Sequence, residues 1–145
     1  MEIQKVRDAI KRADETLKNA GSVSKDKVEK VAAAVKEGQK VINAAKDNNA
    51  SAEDVNKAVD AINKAVNDLG LKATKFDIEK LEAVIEDAKY LVDNTTDKDV
   101  ENRPQIKNLV EEGNKVLASA KKGEATGKQV QEATKALENE LMKVK

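Results

Sequence analysis

Cysteine, histidine and tryptophan are all missing from this chain of 145 residues, and proline, phenylalanine and tyrosine occur once each. Without Cys or His there is no thiolate nucleophile, no imidazole base, no disulfide framework and no ordinary zinc, haem or iron-sulfur site. Charge of one sign is not in excess either, since 27 basic groups balance 27 acidic ones. A polyanion-binding protein concentrates Lys and Arg over a face or a domain, so nucleic acid is not an expected partner. Apolar runs are too short to cross a bilayer, which needs about 18 consecutive apolar residues. No membrane insertion is expected. Residues 1–12 mix charge with Ile3, Val6 and Ile10 and lack the apolar centre of a secretory signal. The chain is therefore either cytosolic or a mature fragment whose targeting segments have been removed.

What is present is a repeat. A shift of 75 residues aligns the chain with itself without a gap, a sign of duplicated supersecondary units. Ile3, Val6, Ile10 and Ala13 fall on Ile78, Leu81, Ile85 and Ala88, and Gly38, Val41 and Ala45 fall on Gly113, Val116 and Ala120. Val55, Ala58 and Ala61 fall on Val130, Ala133 and Ala136. Sixteen of 70 pairs are identical, mostly at apolar positions, as expected of copies that share a core but not a surface. The reading is one copy over residues 1–70, a short linker over 71–75, and a second copy over 76–145.

Within each copy apolar residues recur at spacings of three and four, the period of one helical face, and nothing alternates as a strand would. The spacing predicts helices over 2–19, 25–47 and 52–69, and over 75–93, 102–121 and 127–144. Start signals agree: Ser51 with Asp54, Thr74 with Asp77 and Thr126 with Gln129 each place a hydroxyl three residues before a polar partner. Pro104 belongs in a first turn, where its missing N–H costs nothing. Three amphipathic helices with short loops pack as an antiparallel bundle. The expected fold is thus all-α, two tandem antiparallel three-helix bundles. An odd helix number puts the two ends of each copy at opposite poles, so an elongated end-to-end arrangement is expected, with a single six-helix globule as its rival. Gly38 and Gly113, at matching mid-helix positions where Gly costs about 1 kcal/mol relative to Ala, point either to a close helix contact or to shared ancestry alone.

Candidate sites are few. Asp93, Asp97 and Asp99 gather carboxylates in one segment, and calcium takes clustered oxygen ligands. Yet Lys98 stands where a calcium loop of the EF-hand type needs Gly, and Pro104 where it needs a bidentate Glu. Copy one has Lys18-Asn19-Ala20-Gly21-Ser22 there instead, so a solvated acidic loop is the plainer reading. Glu86 with Asp87, and Glu111 with Glu112, are sequence neighbours about 100° apart on a helix and read as solvated faces, not as paired acid and base. Asn49-Ala50-Ser51 and Asn94-Thr95-Thr96 fit a glycosylation acceptor, a pattern common by chance, and Ser51 is better explained as a cap. No metal and no cofactor is expected, and no catalysis.

Charge separates the copies: residues 1–70 hold 13 basic and 12 acidic groups, residues 76–145 hold 12 and 15, with acids concentrated between Asp77 and Glu101. That face suits a basic partner or is neutral drift. Tyr90 has Glu15 as its counterpart, so it has no core role common to both copies, and Tyr is favoured at binding hot spots. Glu82, Glu86 and Tyr90 are therefore the candidate partner contact, and the chain is expected to be a monomer.

The run from Lys40-Val41-Ile42 through Asn49-Ala50-Ser51-Ala52-Glu53-Asp54-Val55 to Ala58, Ala61 and Ile62, repeated from Lys115 through Val130 to Leu137, resembles the FIVAR modules ("found in various architectures region"). Their hallmark is an apolar pair, an Ala-Ser or Ala-Thr cap, an acidic residue or Gln, then Val and spaced Ala. Residues 3–13 and 78–88 look like the first helix of that family. The resemblance implies a non-catalytic three-helix module of an exported Gram-positive protein, extracellular or attached to the cell wall as part of a larger chain. It implies a spacer or stalk, or alternatively an adhesin module that meets a host, matrix or cell-wall protein. A designed bundle without natural function also fits the regular repeat.

Overall fold

The computed structural model describes residues 3–94 and 104–144. Among them are six α-helices: α1 (Ile3–Lys18), α2 (Lys25–Lys46), α3 (Ala52–Asn67), α4 (Lys75–Asn94), α5 (Pro104–Lys121) and α6 (Gly127–Val144). The chain is all-α and divides into two compact units, Met1–Leu71 and Lys72–Lys145, each holding three of the helices. In each unit every helix packs on the other two.

Each unit closes its own core. In the first, Val6, Ala9, Ile10 and Ala13 of α1 meet Val31 and Ile42 of α2 and Val55, Ala58, Ile62 and Val66 of α3. In the second, Leu81, Val84, Ile85 and Ala88 meet Ile106, Ala120, Val130 and Leu137. These are the residues at three- and four-residue spacing, because only one stripe of each helix can leave water at once. Small side chains let the helices approach closely. A Cβ on Gly38 would stand 2.9 Å from Ile62 Cδ1 and 3.3 Å from Val6 Cγ1, and one on Gly113 would stand 3.2 Å from Ile85 Cδ1. The matched glycines thus occupy a close helix contact in both copies.

The helix ends follow capping chemistry. Ser51 Oγ accepts from the Asp54 N–H at 3.1 Å while Asp54 Oδ2 accepts from the Ser51 N–H at 3.0 Å. Thr126 and Gln129 make the same reciprocal pair at 3.2 and 2.9 Å, and Thr74 and Asp77 make it at 3.2 and 3.3 Å. Two orphan donors are satisfied each time. Ser24, a cap the spacing did not single out, accepts from the Lys27 N–H. At the far ends of α2 and α5 the chain turns through Asn48 (φ 60°) and Gly123 (φ 76°), again 75 residues apart. There the Asn49 and Glu124 N–H groups donate back to Ala44 O at 2.7 Å and Ser119 O at 2.9 Å, the closure that a left-handed residue after a helix permits.

The stretch read as a linker is used locally. Lys72 forms an isolated antiparallel bridge with Thr126, the Ala73 N–H donates to Ala125 O at 3.1 Å, and Lys75 opens α4. The cap residues of α4 next to this pairing, Thr74 and Asp77, are buried.

Candidate interaction surface

Of the helices, α4 carries the charged and aromatic residues singled out from sequence. Leu81, Val84, Ile85 and Ala88 turn its apolar stripe into the core, so Glu82, Glu86 and Tyr90, four residues apart, run along the outside. The structure ties the first of them to its neighbour helix: Lys121 Nζ of α5 lies 3.3 Å from Glu82 Oε2, with the two side chains 55% and 43% exposed. Glu86 is exposed, and Tyr90 is 71% exposed.

One further residue escaped the sequence reading. Met142 of α6 is 57% exposed and, with Tyr90, forms the pair of large apolar side chains open to solvent among the described residues. Its position corresponds to Asn67 of the first copy, and that correspondence was the available signal. In copy one the same place belongs to a part-buried polar cluster. Arg12, 4% exposed, donates to Asn63 Oδ1 at 3.0 Å and to Asn67 Oδ1 at 2.6 Å. Thr16 Oγ1 donates to Arg12 O at 2.8 Å. A buried guanidinium needs such acceptors, because removing it from water unpaired is costly. The second copy has Asp87, Glu138 and Met142 at these three positions, so the cluster is peculiar to copy one.

The chemistry on offer is that of surfaces. Among the described residues no group of three or more acidic, Cys or His side chains could hold a metal ion, and no buried side-chain polar atom lacks a partner. Asp54 has a perturbed carboxyl. The backbone N–H and then the hydroxyl of Ser51 hold its carboxyl below the ordinary value of 3.8, which is capping and not acid-base preparation. Of the proposed acidic loop from Asp93 to Asp99, residues 95–99 lie outside the described residues. No helix among the described residues is long and apolar enough to cross a membrane.

Paired cores, matched caps and an outer surface of charge define a tandem helical-bundle module. The sequence model of the FIVAR domain matches residues 3–70 and again residues 77–141, and the chain belongs to this family, with two tandem copies along its length. No curated protein and no solved structure matches it. The family is one of non-catalytic modules and points to a cell-surface context.

Proposed function

We propose that the chain is a non-catalytic structural spacer within a bacterial cell-surface or cell-wall protein of the Gram-positive type. One observation carries this reading: each copy completes its own core with three helices. A three-helix unit starts at one pole and ends at the other, the connectivity a spacer needs from each copy. The absence of His and Cys from the chain and the membership of a non-catalytic family support it.

A spacer must hold its ends apart, and small-angle scattering on the monomer tests this. The expected radius of gyration is about 20 Å or more, whereas a compact chain of this length gives about 15 Å from the usual size scaling. A value near the compact limit overturns the spacer. The 71% exposure of Tyr90 favours a second reading, an adhesin module meeting a host or cell-wall protein along Glu82, Glu86 and Tyr90. Substituting these three residues abolishes partner binding in an adhesin and changes nothing in a spacer.

A further inference from the structure

One line of charged residues on α1 and its counterpart on α4 hold a relation that neither the core nor the caps require. On α1 they are Arg7, Lys11, Asp14 and Lys18, all exposed. Spaced four, three and four apart, they fall on one stripe. The shift of 75 residues carries this stripe onto Glu82, Glu86, Lys89 and Asp93 of α4, of which the last three are exposed and Glu82 is 43% exposed. Every sign is reversed. The stripe of α1 reads plus, plus, minus, plus, and that of α4 reads minus, minus, plus, minus.

Drift towards acidity would not reverse the single acid of the first stripe into the single base of the second. Of the flanking positions, Lys5 stays Lys80, Gln4 becomes Glu79 and Asp8 becomes Ala83, while Arg12, buried in the first copy, becomes the exposed Asp87. The second helices mostly keep their signs, since Glu37, Lys40 and Lys46 keep their charge at Glu112, Lys115 and Lys121, and Lys36 alone reverses, to Glu111. Third helices are reversed in part, but there opposite signs alternate and pair along one helix, as Lys57 does with Glu53 at 3.2 Å. On α1 and α4 the first two charges are alike, an arrangement that is locally unfavourable at a spacing of four; Lys121 offsets part of it at Glu82, and an opposite stripe alongside would offset more.

We propose that α1 of one molecule docks side by side on α4 of a second copy of this chain, in parallel and in register. Arg7 then faces Glu82, Lys11 faces Glu86, Asp14 faces Lys89 and Lys18 faces Asp93. Orientation is specified by the odd charge: run antiparallel, the stripes would set Lys11 against Lys89 and Asp14 against Glu86. Four exposed ion pairs bind weakly and are screened by salt, and association carries an entropic cost. A dilute sample therefore stays monomeric. Copies held close together on a surface reach the effective concentrations at which such contacts add up.

The chain has no cysteine, so Gln4→Cys accepts a single nitroxide beside the α1 stripe. Mixed at submillimolar concentration with an isotope-labelled, unmodified chain, it reports only contacts between molecules. The expected result at low salt is broadening of α4 amides, strongest over residues 79–86 and fading toward residue 93, and lost at about 0.3 M salt, where the Debye length is well below 10 Å. Broadening is also lost when the labelled stripe carries E82K/E86K/K89E/D93K, and it returns when the nitroxide chain carries R7E/K11E/D14K/K18E. Because E82K sets a lysine beside Lys121, the set is repeated without it, and circular dichroism verifies that each variant is folded. Broadening spread evenly over the molecule, strongest near residue 93, or not recovered by the double exchange overturns the proposal.

Discussion

Alanine in place of Gly38 sets helix propensity against packing, and the two copies give the contest different outcomes. Propensity favours Ala by about 1 kcal/mol in a helix interior. Against that, the new methyl at Gly38 would stand 2.9 Å from Ile62 Cδ1 and 3.3 Å from Val6 Cγ1, both on fully buried side chains. Overpacking a core costs about 1–3 kcal/mol. The obstructing atom is the end of a flexible side chain, so a mid-range cost of about 2 kcal/mol applies and the net loss is about 1 kcal/mol. At Gly113 the nearest atoms are 3.2 and 3.4 Å away, a contact relieved by a few tenths of an ångström. There the cost is about 1 kcal/mol or less, and Gly113→Ala comes out neutral or slightly stabilising. Native-state hydrogen exchange on the intact chain reads the two units separately through their slowest amides. A Gly38→Ala protein more stable than its parent in the first unit would refute the packing argument. So would a Gly113→Ala protein that loses more than about 1 kcal/mol in the second.

Two further predictions rest on polar groups. Replacing Arg12 by Leu leaves the oxygens of Asn63 and Asn67 without a donor they now use, which should cost the first unit about 1–3 kcal/mol. Asp87→Asn, at the exposed equivalent site in the second unit, should stay within about 0.5 kcal/mol, and comparable losses at both sites would show that the part-buried cluster contributes nothing. Asp54 should titrate below 3.8 by carboxyl NMR, since the Ser51 backbone N–H and hydroxyl favour its charged form. A carboxyl whose folded pKa is lowered contributes stability that is full above its unfolded value and is lost as pH falls through the folded one. Acidification should therefore move the Ser51 amide resonance through the Asp54 titration. It should leave Thr126 unmoved, because its partner Gln129 carries no proton in this range, and identical pH profiles at the two caps would contradict this.

Much of the fold was legible because it is local. Helix periodicity, the three reciprocal caps and the matched glycines all depend on residues within a few positions of each other or on a fixed shift of 75, and a sequence displays both directly. Where both sides of a helix end are described, predicted and observed boundaries differ by two residues at most, since frayed ends are decided by hydrogen bonds and not by the apolar stripe. The Asn48 and Gly123 turns carried a signal, an Asn or Gly just past the last periodic residue, that the reading passed over. Placing Glu82, Glu86 and Tyr90 on the outside of α4 followed from the period, but the Lys121 bridge to Glu82 did not, because it joins residues 39 positions apart (121 − 82).

The sequence by itself determined that the protein is all-α, that it is two copies of one three-helix unit, and that it brings neither thiol nor imidazole, since composition and period suffice for each. Tertiary structure alone decided what long-range proximity creates. It showed that Gly38 is needed where α2 meets Ile62 and Val6, and that Arg12 is a buried residue held by two asparagines more than fifty positions away. It also showed that Lys72 and Ala73 serve the second unit by pairing with Thr126 and Ala125. The physical reason is common to all three. A helix period says which face is covered, while the identity of the atoms covering it depends on how separate helices pack.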